Sequence, residues 1–126
     1  MTMFYRQNDI EGIRNVKGVH EGKGSINIRS FFDGKSQLGI GFHVWELKPG
    51  TSEGTHIHEK ESALEEIYYF LEGQGEMWIG TETINVKAGD AILVPPGVEH
   101  GFKNSGLAPL KLVLLFGKPI GVDSSI

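Results

Sequence analysis

Short apolar runs, cut by glycine and proline, set the pattern of this chain. Ser25 to Phe32 (SINIRSFF) alternates Ile26, Ile28 and Ser30 against Asn27, Arg29 and Phe31, an imperfect half-buried strand closed by Asp33-Gly34. Leu38 to Leu47 is the next extended run, and Pro49-Gly50 stops it. Glu65 to Leu71 (EEIYYFL) is rich in β-branched and aromatic residues, and Gly73-Gln74-Gly75 turns it into a short return strand, Glu76 to Ile79. Glu82 to Val86, Ala91 to Val94, Glu99 to Asn104 and Leu110 to Phe116 complete the series. The first 24 residues are weakly patterned, and the tail from Gly117 is polar. Lys60 to Glu66 are fair helix formers, but Ser52 to Leu64 reads as a loop. About eight short strands with Gly and Pro turns predict an all-β barrel or sandwich. The gaps are too short for the crossover helices of a parallel α/β fold.

Length adds that 126 residues suit one domain, 1–126, with a core at about 25–116. A net charge of −4 with dispersed Lys and Arg gives no footprint for nucleic acid. No apolar run reaches a membrane span, and MTMFYRQNDI has no basic segment followed by an apolar stretch, so neither membrane insertion nor a signal peptide is expected. The chain has no cysteine, which removes disulfides and thiolate ligands and fits a cytoplasmic location. Any metal must be held by nitrogen and oxygen.

The histidines supply the candidate chemistry. Strand periodicity puts His56 and His58 on one face, with Ile57 on the other. Glu66 begins the next strand, and an antiparallel return can bring its carboxylate back to the same cavity. His100 follows the Pro95-Pro96-Gly97 turn. Three imidazoles and a carboxylate suit one divalent ion, Fe, Mn, Ni, Co or Zn, and leave positions open for substrate, dioxygen or water. His-x-His alone is weak evidence, because the acids around it also suit a solvated loop; the second stretch strengthens the reading.

Together the two stretches resemble the paired motifs of the cupin family. Gly50, His56, His58, Glu66 and Gly73 match the first motif; Gly89, Pro95, Gly97, His100 and Asn104 match the second. The resemblance covers Gly50 to Asn104. It implies a small jelly-roll (double-stranded β-helix) barrel holding one metal ion, and a homodimer. Glycines shape the turns, and Gly97 is expected where a side chain would be strained or would crowd the cavity. Asn104 is expected to be a structural hydrogen-bonder. One departure stands out: seven residues separate His58 from Glu66, where the family has three or four. The six residues between Glu66 and Gly73 favour Glu66 as the ligand, with Glu61 and Glu65 as rivals.

If Glu66 points inward, Tyr68 and Phe70 share its face. A Tyr68 phenol there can donate to a substrate oxygen, or act as a base if nearby positive charge lowers its pKa from about 10. The charged Glu46 suggests a wet face, which turns His43 and Trp45 inward, and His43 is the second candidate for a catalytic role. Its ordinary alternative is a satisfied core histidine. Phe102 is expected to face the cavity and keep it dry. One of Met77 and Trp78 faces inward. His20 is expected at the surface, and Glu53 in an acidic rim with Glu59, Glu61, Glu65 and Glu66, disfavouring highly anionic substrates. The leading expectation is a metal-dependent enzyme on a small molecule, of dioxygenase, isomerase or lyase type. The alternative is a non-catalytic module binding a sugar or organic acid.

Overall fold

The computed structural model describes residues 3–57 and 63–121. Among them are ten strands and one 3-10 turn: β1 (Arg14–Lys17), the turn Val19–Glu21, β2 (Ser25–Ser30), β3 (Ile40–Leu47), β4 (Ser52–His56), β5 (Glu65–Glu72), β6 (Gln74–Ile79), β7 (Glu82–Lys87), β8 (Ala91–Val94), β9 (His100–Lys103) and β10 (Leu110–Gly117). They form two antiparallel sheets. The larger runs β1-β2-β3-β10-β5-β8 and the smaller runs β4-β9-β6-β7. The chain is all-β, as its punctuation predicts.

Period-two alternation decides the inner faces. On β5, Glu66, Tyr68 and Phe70 are buried, whereas Ile67, Tyr69 and Leu71 are 36–45% exposed. β6 turns Met77 inward and leaves Trp78 half-buried. Ile26, Trp45, Leu47, Phe70 and Leu112 of the larger sheet meet Met77, Val86 and Phe102 of the smaller one in a single cluster. Each fully buried side chain of this kind contributes about 1.5–3 kcal/mol.

Two segments differ from the sequence expectation. Ser52–His56, expected as loop, is strand β4. Its residues have little strand preference of their own, and pairing with β9 imposes the conformation. The weakly patterned N-terminus is also tied down. β1 pairs with β2, the Arg29 Nε donates to the Asp9 carbonyl at 2.6 Å, and Lys111 Nζ donates to the Asp9 carboxylate at 2.6 Å. This polar clasp buries Arg29 on the outer face of β2, so that strand is covered on both faces there.

Asn104 is the structural hydrogen-bonder its position suggested. Its amide donates to the carbonyls of Leu47 (3.0 Å) and Ala108 (2.8 Å), and its side-chain oxygen accepts from Gly106 N–H (2.9 Å). It thereby joins the end of β3 to the turn before β10. Gly97 has φ +81° and open space where a Cβ would lie, so backbone strain rather than crowding favours glycine there.

Candidate metal centre

Three strands deliver the candidate ligands. β5 supplies Glu66, β9 supplies His100, and β4 ends on His56, which pairs directly with His100. Glu66 Oε1 lies 3.2 Å from His100 Nε2 and 3.6 Å from His56 Nε2. The donor atoms of His56, Glu66 and His100 all lie within 4.8 Å of one another. Glu65 has the opposite parity and lines a shallow outer surface with Ile67 and Leu115. Of the two rivals to Glu66, Glu65 is therefore outside the cavity, and Glu61 lies outside the described residues, as does His58.

The donor set fits a cation. His100 Nδ1 bonds the Val98 carbonyl at 2.8 Å, and His56 Nδ1 bonds the Gly54 carbonyl at 3.2 Å. A carbonyl only accepts, so each Nδ1 carries a proton, and each Nε2 is turned toward the Glu66 carboxylate. Without a metal ion, Nε2 can approach the carboxylate this closely only as a proton donor, and a cation can take the place of those protons. Backbone carbonyls on the far nitrogen are also how ligating histidines are commonly oriented. Burial alone would push the Glu66 carboxyl up, but hydrogen bonds from His100, His56 and Tyr68 outweigh it and hold it well below the usual carboxylate range. Burial pulls His100 down, but the Glu66 hydrogen bond, the Val98 carbonyl and the Glu66 charge raise it overall.

The cavity beside these residues has a volume of about 130 Å³. Trp45, Leu64, Leu114 and Phe116 form its apolar wall; Glu53, Glu66, His20, His43 and His56 are its polar groups. Phe102 is fully buried but packs behind this wall, against Trp45, Tyr68 and Phe70.

Tyr68 is close to Glu66, but its geometry opposes the role of an ionised base. The phenol donates to Glu66 Oε2 at 2.8 Å, with Glu53 Oε1 at 3.4 Å. Burial, then the charges of Glu53 and Glu66, push its pKa well above the ordinary value. Among the described residues, none does the lowering that base chemistry needs. Its proton instead steadies the Glu66 carboxylate.

His43 lies in the cavity wall, as expected. The Trp45 indole N–H donates to His43 Nδ1 at 3.2 Å, leaving Nε2–H as the ring's donor. Protonating Nδ1 would set two N–H groups against each other. Burial, then the charge of Arg14, lowers the His43 pKa, partly offset by Asp33. The unfolded chain therefore binds this proton more readily, so the contribution of His43 to stability is full above pH ~6.5 and lost as pH falls toward the folded pKa. Urea midpoints between about pH 7 and 5 should fall more steeply for the wild type than for His43→Gln. Parallel pH profiles would refute this account of His43.

Two residues of the cavity were missed or misplaced by sequence reasoning. Glu53 was expected in a solvated rim, yet it is 1% exposed. The cause is a β-bulge. Glu53 pairs with Phe102 and His56 with His100, so three steps on β4 match two on β9. The extra residue turns both Glu53 and His56 inward, although strict alternation would put them on opposite faces. Burial, then the Glu66 charge, pushes the Glu53 carboxyl well up, against a hydrogen bond from Tyr68.

His20 was expected at the surface, and its side chain is 42% exposed, but it also lines the cavity. Its ring stacks on His56 at 3.7 Å between centroids with 7° between planes, and its Nε2 is 3.9 Å from Glu53. His20 (φ 50°) and Glu21 (φ 64°) are both left-handed, a conformation costing roughly 1–2 kcal/mol per residue. The surrounding loop is clamped to β4. Ser52 N–H donates to the Lys23 carbonyl, and Lys23 N–H donates to Ser52 Oγ, both at 2.9 Å. The His20 carbonyl occupies the space a Cβ at residue 54 would take, so only glycine fits there. The signal that could have found His20 is Gly18, Gly22 and Gly24 around it, which permit the tight turn and close approach.

Comparison with known proteins agrees with the two-sheet fold. The cupin domain family model matches residues 43–116, and the chain belongs to the cupin family. It is 32% identical over 118 residues to a protein of Thermotoga maritima named "Oxalate-binding protein", covering 88% of this chain and 90% of that protein. An uncharacterised protein of Methanocaldococcus jannaschii is 46% identical over 59 residues, which span 47% of this chain and 46% of the relative. The crystal structure of a predicted oxalate decarboxylase from Thermotoga maritima superimposes with a TM-score of 0.78 at 26% identity, covering 91% of this chain and all of that one.

Proposed function

We propose that this chain binds one divalent metal ion through His56, His58, Glu66 and His100, and acts as a metal-dependent enzyme on a small molecule with oxygen donors. The observation that carries the reading is the convergence of the Glu66 carboxylate with the Nε2 atoms of His56 and His100. A bound ion of the Fe, Mn, Ni, Co or Zn class supplies Lewis acidity toward a ligand oxygen. The protein's part is to orient that ligand. Trp45, Leu114 and Phe116 exclude water, His43 offers Nε2–H, and Tyr68 keeps Glu66 ionised. The reaction belongs to the dioxygenase, isomerase or lyase type. A non-catalytic ligand-binding module is the second reading, and the relative named for oxalate binding favours it.

We also read the protein as a cytoplasmic homodimer. Ile67 and Tyr69 of β5 and Leu93 of the edge strand β8 are exposed, and Ile67 pairs with Leu93 to give one apolar strip suited to a second copy. Among the described residues, no helix is long and apolar enough to cross a membrane.

Titration of the metal-free chain with Mn(II), Co(II), Ni(II) and Zn(II), followed by calorimetry of the loaded protein with oxalate, tests the reading. Saturation at one ion per chain is expected, with oxalate binding only after metal loading. Oxalate turnover, oxygen uptake or neither then separates enzyme from binding module. Failure to bind any of the four ions would sink the metal reading.

A further inference from the structure

The ring of His56 is held from two sides by groups that no metal would touch through that ring's ligating nitrogen. His20 lies flat on its face, 3.7 Å between centroids and with the two ring planes nearly parallel. Glu53 Oε1 lies 3.7 Å from its Nδ1, beside the Gly54 carbonyl that takes the Nδ1 proton. Neither holder is placed by local preference. Glu53 reaches the cavity through the bulge in β4, and His20 through a left-handed turn pinned to the same strand. Residues kept in costly backbone conformations by their surroundings cluster where function depends on position. The turn also presses its His20 carbonyl onto Gly54, the residue whose carbonyl receives the His56 proton.

We infer that His20 and Glu53 are positioning residues for His56: the stacked ring and the buried Glu53 carboxyl fix the His56 imidazole so that Nδ1 keeps its proton and Nε2 faces Glu66. The inference rests on the reading of His56 as a metal ligand and goes beyond it, because it makes the N-terminal turn part of the metal centre. Outer partners of ligating histidines set ring orientation and tautomer, and losing one lowers metal affinity by about 10–100-fold.

The test compares the full-length wild type with His20→Asn, His20→Phe and Glu53→Gln. Asparagine accepts the left-handed backbone but removes the ring. Phenylalanine keeps a ring without nitrogen, and this chain already holds Phe32 at φ 55°. Co(II) titration should show binding weakened at least about tenfold in His20→Asn and Glu53→Gln, with altered visible absorption. His20→Phe should restore most of the affinity. Nitrogen-15 NMR of the metal-free proteins should show His56 Nδ1 holding its proton in the wild type and in His20→Phe, and only partly in His20→Asn. Unchanged Co(II) affinity in His20→Asn would overturn the inference, as would a His20→Phe protein as weak as His20→Asn. A His56 Nδ1 that is only partly protonated in the wild type would do the same. If His56→Ala left Co(II) affinity intact, the metal reading itself would fail, and the metal-free Nδ1 protonation would still decide whether His20 positions the ring.

Discussion

Glu66→Gln should lose more than about 100-fold in divalent-metal affinity and keep its fold. The amide is isosteric, and its oxygen can still accept the Tyr68 phenol proton now given to Glu66 at 2.8 Å. What it loses is the negative charge opposite two imidazole nitrogens, and a ligand's loss should exceed the 10–100-fold cost of losing an outer partner. Metal titration checks the affinity, and circular dichroism checks the fold. The metal-free protein gives an independent reading. The Glu66 pKa is lowered by folding, so its contribution is present above about pH 4.3 and lost as pH falls through the lower folded value. The His100 pKa is raised by folding, so its contribution is full below about pH 6.5 and lost as pH rises through the higher folded value. Wild type should therefore exceed Glu66→Gln in stability most between roughly pH 4.5 and 6.5, with the gap narrowing on both sides. Retained metal affinity in Glu66→Gln would remove Glu66 from the site.

Phe102→Ala should cost about 3–5 kcal/mol in urea denaturation. Phe102 is fully buried where the two sheets meet, with its ring centroid 5.7–6.4 Å from those of Tyr68, Trp45 and Phe70. Its removal opens a cavity that rigid strands on both sides cannot collapse. The loss is a large share of the ~5–15 kcal/mol that holds a domain folded. Tyr68 lies between Phe102 and Glu66, so the variant should also bind metal more weakly, whereas a distant core cavity would not affect the site. A loss below about 1 kcal/mol would show that the sheets close over the gap.

The candidate site was legible where alternation is regular. On β5 the parity of Glu66, Tyr68 and Phe70 follows from position alone, and the structure buries all three. On β3 the charge at Glu46 was enough to turn His43 and Trp45 toward the cavity. Alternation failed on β4, where a single extra residue between Glu53 and His56 reverses the parity. Nothing within SEGTH announces that bulge, because it arises from pairing with β9. The same limit applies to Tyr68. Its nearness to Glu66 was predictable, but the direction of its pKa depended on Glu53 also lying nearby.

By itself the sequence determined the all-β class, most strand positions, the family and the residues of the candidate site that regular alternation turns inward. These follow from short-range rules: alternation, turn residues and fixed spacings between ligand types. Only the tertiary structure decided that Glu53 is a cavity residue, that Tyr68 serves Glu66 rather than standing free, and that an unpatterned N-terminal turn lays His20 against His56. Each of those depends on contacts between segments far apart in the chain, which local periodicity does not encode.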